Sequence, residues 1–208
     1  MFDYVLVAEF EETSKQINWI STAMDDLSYF DRIRILEPTY WLNDSAINAA
    51  LSLLKKQFPR IAGLRNVNYF TIRAQNTNMG PETTEGGFLF LRTLRTREIF
   101  KSDIPRETRK QLQPFNINEN HWVVMSTLHD EGTNVVHLYD SLGTIQDPNL
   151  KHYIAAALST KESFIKIKWM KCQRQEDGSS CGYFAIANMV SLCFGDLPSR
   201  LKYFSGVS

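Results

Sequence analysis

HWVVMSTLHDEGTNVVHLYDS, residues 121–141, decides the architecture. Residues 122–128 and 135–139 are short runs rich in β-branched and aromatic side chains, the composition of strands. The polar stretch between them, HDEGTN at 129–134, holds a glycine and is expected to turn the chain into a hairpin. A third run of the same kind, FIKIKWM at 164–170, adds to the sheet, and residues 88–91 fit either a strand or a buried helix. Downstream, residues 149–158 read as a helix, and CGYFAIANMVSLC at 181–193 reads as a strongly apolar helix after the turn DGSS. Upstream, Ile47, Ala50, Leu51, Leu54 and Phe58 recur at helical spacing over residues 45–58, and Pro59 stops the run. Asn43, Asp44 and Ser45 before it are all good N-cap types. Pro38 interrupts regular structure, residues 17–27 suggest a weak helix, and residues 75–87, polar with Gly and Pro, read as an exposed loop. Helical N-terminal part, then sheet, then buried helix is the α+β order.

The composition sets limits. The chain has 208 residues, 43% hydrophobic and 22% charged, which suits one domain with a real core and excludes a disordered or collagen-like chain. Basic and acidic side chains balance at 23 each, so nothing global points to nucleic acid or an anionic membrane. No apolar run approaches the roughly 18 residues of a membrane span, and MFDYVLVAEFEE lacks the basic start of a secretory signal. Residues 92–110 hold seven basic side chains against three acids and are read as a solvated face. Three cysteines without a CxxC pair suit neither a disulfide framework nor a zinc site, and they place the chain inside the cell, in cytoplasm or nucleus.

Of those cysteines, Cys181 follows a flexible polar stretch and opens a helix, where the dipole and free amides favour thiolate. Gly182 after it leaves room for a substrate backbone. Cys172, taken to lie inside a strand, and Cys193, at the far helix end, read as buried small hydrophobes. A nucleophilic thiol needs a base, and the base needs an orienting partner. His129 falls in the hairpin turn, His152 on a surface helix and His137 on a strand face. His121 stands at the mouth of a strand, after the polar loop NINEN. Asp140 ends the next strand, so hairpin pairing would return it to the same end as His121. His121, Asp140 and Cys181 then make a Cys-His-Asp arrangement, although Asp140 alone could equally be a turn-former.

Taken together, WLND (41–44), HW (121–122), YDS (139–141), Gln175 six residues before the cysteine, and CG (181–182) resemble the Ulp1/SENP-type cysteine proteases. These remove ubiquitin-like modifiers such as SUMO or NEDD8 from their targets. The likeness runs from about residue 36 to residue 193. It implies a single catalytic domain over residues 1–208 with a papain-like α+β fold: a helical N-terminal lobe, a mixed β-sheet, and the catalytic cysteine at a helix N-terminus. It also implies roles. Cys181 is the nucleophile, His121 the general base and acid, Asp140 the group that holds the imidazole, and Gln175 an oxyanion donor beside the Cys181 amide. Trp41 and Trp122 wall a tunnel for a Gly-Gly tail, with core packing as the competing reading, and Asp44 meets a basic group on the modifier, with N-capping as its competitor. No metal or organic cofactor is implied. The expected partners are SUMO, NEDD8 or ubiquitin and their conjugates, met by a monomer that engages no nucleic acid and no membrane. In length the chain looks like the compact NEDD8-type member. Ser180 departs from the aspartate common before the cysteine in eukaryotic deconjugases, and QEDGSSCGYFAIANM looks closer to Ulp-like domains of mobile elements. Two rivals stay open: a viral-type peptidase or acetyltransferase of the same clan, and an inactive relic that binds a modifier without turnover.

Overall fold

The computed structural model describes residues 18–37, 39–68, 79–85, 88–93, 110–129, 135–143, 147–158 and 164–203. Its first elements are a two-stranded antiparallel ribbon, β1 (Asn18–Ser21) and β2 (Asp26–Ser28), and a short helix, α1 (Tyr29–Ile35). The expected helix over residues 17–27 is therefore corrected to a ribbon. Thr22 explains the reversal: its hydroxyl donates to the Asp25 carbonyl and accepts the Met24 and Asp25 amides, closing a turn where a helix would have to continue. Ser28 and Asp31 then form a capping box that starts α1.

The helix α2 (Asp44–Gln57) forms where the apolar spacing places it. Asn43 caps it, its side chain accepting the Ala46 amide at 3.0 Å. Asp44 in the first turn and Lys55 and Lys56 in the last complement the helix dipole. Lys55 also donates to the Ile61 carbonyl at 2.5 Å, which ties the helix exit to β3 (Ala62–Gly63).

Six further strands complete one mixed sheet: β4 (Met79–Glu85), β5 (Phe88–Thr93), β6 (Gln111–Ile117), β7 (His121–Ser126), β8 (Val135–Tyr139) and β9 (Phe164–Met170). Their order is β3-β6-β7-β8-β9-β5-β4, with β3–β6 and β8–β9 parallel and the other pairs antiparallel. Residues 79–85 are thus an edge strand paired to β5, which corrects the loop reading of 75–87 over those positions, residues 75–78, 86 and 87 lying outside the described residues. Ladder bonds to a partner strand override the low strand propensity of MGPETTE, and Pro is tolerated at an edge. Residues 88–91 resolve as strand. Most of the basic run at 92–110, the hairpin tip at 130–134 and Pro38 lie outside the described residues.

The sheet is covered on both faces. Helix α3 (Leu150–Leu158) sets Leu150, Ile154 and Ala157 against Phe115, Val123, Met125, Val136 and Leu138. On the other face, Ile47, Leu51 and Leu54 of α2 join Met189 and Leu192 of α4 (Cys181–Phe194) over Leu112, Trp122, Val124 and Tyr139. Double coverage explains why β7 and β8 read as near-continuous apolar runs rather than strict alternation. Gly195, at φ 86°, takes the left-handed conformation that ends α4. No helix among the described residues is long and apolar enough to cross a membrane.

Candidate active site

His121 is the first residue of β7, delivered there by a tight reversal from β6. Ile117 pairs with His121, so only three residues make the turn. Two of them, Asn118 (φ 52°) and Glu119 (φ 58°), are left-handed, a conformation Asn tolerates and Glu resists. Asp147 braces the turn by accepting the Asn118 amide at 3.3 Å. On the neighbouring strand Val124 pairs with Tyr139, so Asp140 lies one step past the ladder, at the His121 end. The hairpin therefore brings the two together as its register requires: His121 Nε2 lies 2.7 Å from Asp140 Oδ1, with both side chains buried. Asp140 is itself held, since Oδ1 accepts the Leu142 amide at 2.8 Å and its carbonyl accepts from Cys172 Sγ at 3.4 Å.

With Nε2 committed to Asp140, the other ring nitrogen, Nδ1, is buried and has no partner of full hydrogen-bond geometry. The Cys181 thiol is the group that adds to the hold on the imidazole proton from elsewhere. Burial by itself pushes His121 below its ordinary value. Hydrogen bonding and negative charge from Asp140 and Cys181 outweigh it and lift the imidazole to about 9. The imidazole is thus bonded to the carboxylate and electrostatically coupled to the thiol. Such sites often tighten only around a reacting group.

Cys181 heads α4 and is 3% exposed. The loop before it is organised by Asp177, whose carboxylate accepts the Ser179 and Ser180 amides at 2.8 and 2.7 Å and the hydroxyls of both. Burial raises the Asp177 carboxyl, but these donors outweigh it and hold the group below the usual range. Ser180, at the N-cap position, turns its hydroxyl back to Asp177 and makes no side-chain cap. No capping side chain therefore covers the first-turn amides of α4, and these are the donors an anion would use.

Gln175 is buried beside this loop. Its Oε1 accepts the Ser141 hydroxyl at 2.5 Å, its Nε2 donates to the Asp177 carbonyl at 2.8 Å, and its own amide donates to the Ser141 carbonyl at 3.0 Å. A cleft of about 470 Å³ brings Trp41, Asp44, Trp122 and Cys181 onto one surface, with Asn116 and Glu119 on its wall. Trp122 is 4% exposed and its indole donates to the Leu42 carbonyl at 3.0 Å, so it belongs to the core as well as to the cleft. Trp41 is 48% exposed and stands at the rim. Asp44 does not cap α2, because Asn43 does, and it faces the cleft from the first helical position.

Two sequence readings need adjustment. An added Cβ at Gly182 would lie 2.8 Å from Leu42 Cβ, so the missing side chain makes room for the Trp41–Leu42 segment rather than for substrate. Cys172 lies two residues beyond β9, not inside it. Among the other histidines, His129 is exposed, His152 half-buried and His137 buried within β8. Ser141, Asp177 and Glu119 escaped the sequence reading as site residues. Ser141 stood inside the YDS motif, but a serine there does not announce a buried bond to Gln175, 34 positions away, and Asp177 stood inside a turn signal, where its bonds to Ser179 and Ser180 are local. Among the described residues no three His, Cys, Asp or Glu side chains gather as a metal site.

The family model "Ulp1 protease family, C-terminal catalytic domain" matches residues 40–202. No curated protein matches the chain significantly. Among solved structures, the SUMO protease Ulp1 with its catalytic cysteine oxidised to a sulfenic acid is 17% identical, at TM-score 0.60, with 95% of this chain and 85% of that one covered. The Ulp1 protease domain in complex with SMT3, the yeast orthologue of SUMO, is 16% identical at TM-score 0.57, covering 91% and 84%. The Ulp1-like SUMO protease catalytic domain of Chaetomium thermophilum is 18% identical at TM-score 0.51, covering 94% and 81%. At such identities the structural likeness speaks for the fold.

Proposed function

The chain belongs to the Ulp1 protease family of cysteine peptidases, and from that premise we propose that it cuts the bond after the C-terminal Gly-Gly of a ubiquitin-like modifier of the SUMO or NEDD8 class. The observation that carries the reading is the cleft in which Trp41, Trp122 and Cys181 share one surface. Two flat aromatic walls beside a nucleophile suit an extended tail without side chains. In this reading the Cys181 thiolate attacks the scissile carbonyl carbon, and the charge moves to the carbonyl oxygen. The Gln175 amide and the Cys181 backbone amide receive it, in the role where one preorganised donor is worth about 3 kcal/mol. His121, held protonated by Asp140, gives its proton to the leaving amine as the C–N bond breaks. It then takes a proton from water, which attacks the thioester and releases the free carboxylate and Cys181. Asp44, at the mouth of the cleft, meets a basic group on the modifier.

The domain acts in this reading as a monomer in the cytoplasm or nucleus, where the thiol stays reduced. SUMO, NEDD8 and ubiquitin vinyl-sulfone probes test the proposal directly. A covalent adduct with SUMO or NEDD8, lost in Cys181→Ser, is the expected outcome. A wild-type protein that ignores all three probes yet reacts with iodoacetamide at Cys181 would overturn it.

A further inference from the structure

We infer that Ser141 is a positioning residue that orients the Gln175 side-chain amide for the oxyanion, an inference that rests on the proteolytic reading above. The two ends of a glutamine amide have nearly the same shape and opposite electrostatic sense. Turned the right way, Gln175 offers an N–H to the developing charge; flipped, it presents a carbonyl oxygen and repels it. The backbone carbonyl of Asp177 can only accept, and Nε2 lies 2.8 Å from it, so the NH2 end faces that side. Oε1 must then face Ser141, whose hydroxyl donates to it at 2.5 Å. One of the two N–H bonds of Nε2 is engaged by Asp177, leaving the second for a substrate.

Ser141 is 2% exposed and Gln175 8%, so neither end of this amide has bulk water as a substitute partner. The Gln175 amide also donates to the Ser141 carbonyl, which clamps the two residues through backbone and side chain. Asp140 and Ser141 are consecutive. One holds the imidazole and the next holds the amide, so the end of β8 positions both halves of the machinery.

The test uses C-terminal Gly-Gly aminocoumarin amides of SUMO, NEDD8 and ubiquitin, with kcat and KM measured on whichever is turned over. Ser141→Ala should lower kcat about tenfold with little change in KM, and Ser141→Thr, which keeps the hydroxyl, should restore most of it. Gln175→Ala should also lower kcat, and the double variant should be no slower than Gln175→Ala alone, because Ser141 has then nothing to orient. The alkaline limb of the pH profile should stay in place in Ser141→Ala, since the His121–Asp140 bond is untouched. Should Ser141→Ala not fold by circular dichroism, Ser141→Cys, with its weak donor, takes its place with the same expectations. Wild-type kcat in the variant that folds, losses that multiply in the double variant, or a shifted alkaline limb would each overturn the inference. So would a Gln175→Ala enzyme of full activity, which leaves the protease reading standing. A wild type that turns over none of the three amides ends both.

Discussion

Cys181, Cys172 and Cys193 differ by what surrounds each sulfur. Burial raises the Cys172 thiol, and burial alone lifts Cys193 to about 11, so both are held as thiols at neutral pH. Cys181 alone shares a buried site with an imidazole and lines the cleft. Cys181→Ser should therefore abolish probe labelling while Cys193→Ser retains it, read by mass shift on the intact protein. The imidazole makes a second prediction. His121 is raised from its ordinary value near 6.5 to about 9, so proton-linked stabilisation of the fold is complete below about 6.5 and is lost as pH rises through about 9. Activity should fall across the same upper limb, as a macroscopic property of the His–Cys pair. Asp140→Asn removes a major hold on the proton and should move the limb to lower pH while lowering kcat by orders of magnitude. A limb that stays near 9 in that variant would show that Asp140 does not hold the imidazole proton.

Elements position these residues, and two junctions govern the positioning. The first is where α4 meets the segment carrying Trp41. Gly182→Ala would press a methyl against Leu42 at a distance real Cβ atoms do not occupy. We expect a loss of roughly 1–3 kcal/mol together with reduced cleavage, because the Trp41 wall must shift; a melting curve and a rate assay report the two effects. The second is the start of α2. Asn43→Ala removes the only cap side chain on that helix and should cost about 1 kcal/mol, measurable by urea unfolding. Asp44→Ala, one residue later, should leave stability nearly unchanged and alter substrate affinity instead. Together the pair separates capping from recognition, which the sequence left as competitors for Asp44.

At the scale of the whole molecule, the proposed nucleophile, Cys181, comes from a helix and its proposed base, His121, from a sheet, and the core between them sets their distance. Met189, fully buried between α4 and the sheet, is the probe of that core. Met189→Ala should destabilise by about 2–5 kcal/mol. The proposed slot belongs to the same scale, since Trp41 and Trp122 lie far apart in the chain and meet only in the cleft. Changing the penultimate Gly of the modifier to Ala should slow cleavage at least about tenfold, equivalent to ~1.4 kcal/mol of transition-state binding. Trp122→Ala should slow the Gly-Gly substrate and narrow the gap between the two. A two-by-two comparison of rates decides it, and equal cleavage of both by the wild type would remove the slot.

Local pattern alone determined the α2 helix, the β7, β8 and β9 strands, the α4 helix and the meeting of His121 with Asp140. Apolar spacing and turn chemistry act between near neighbours, and a hairpin's register follows from them. The family motifs likewise singled out Cys181, Gln175, Trp41, Asp44 and Trp122, four of which the fold gathers at one cleft, Trp41, Asp44, Trp122 and Cys181. Only the tertiary structure decided the rest. β4 is a strand because β5 supplies its ladder, against its own composition. Residues 18–28 form a ribbon because the Thr22 side chain closes a turn on Asp25. Gly182 serves Leu42, 140 positions earlier, and Ser141 serves Gln175, 34 positions later. The physical reason is common to these last two: a steric fit or a buried hydrogen bond between distant residues depends on where folding places their backbones. No local periodicity records that placement.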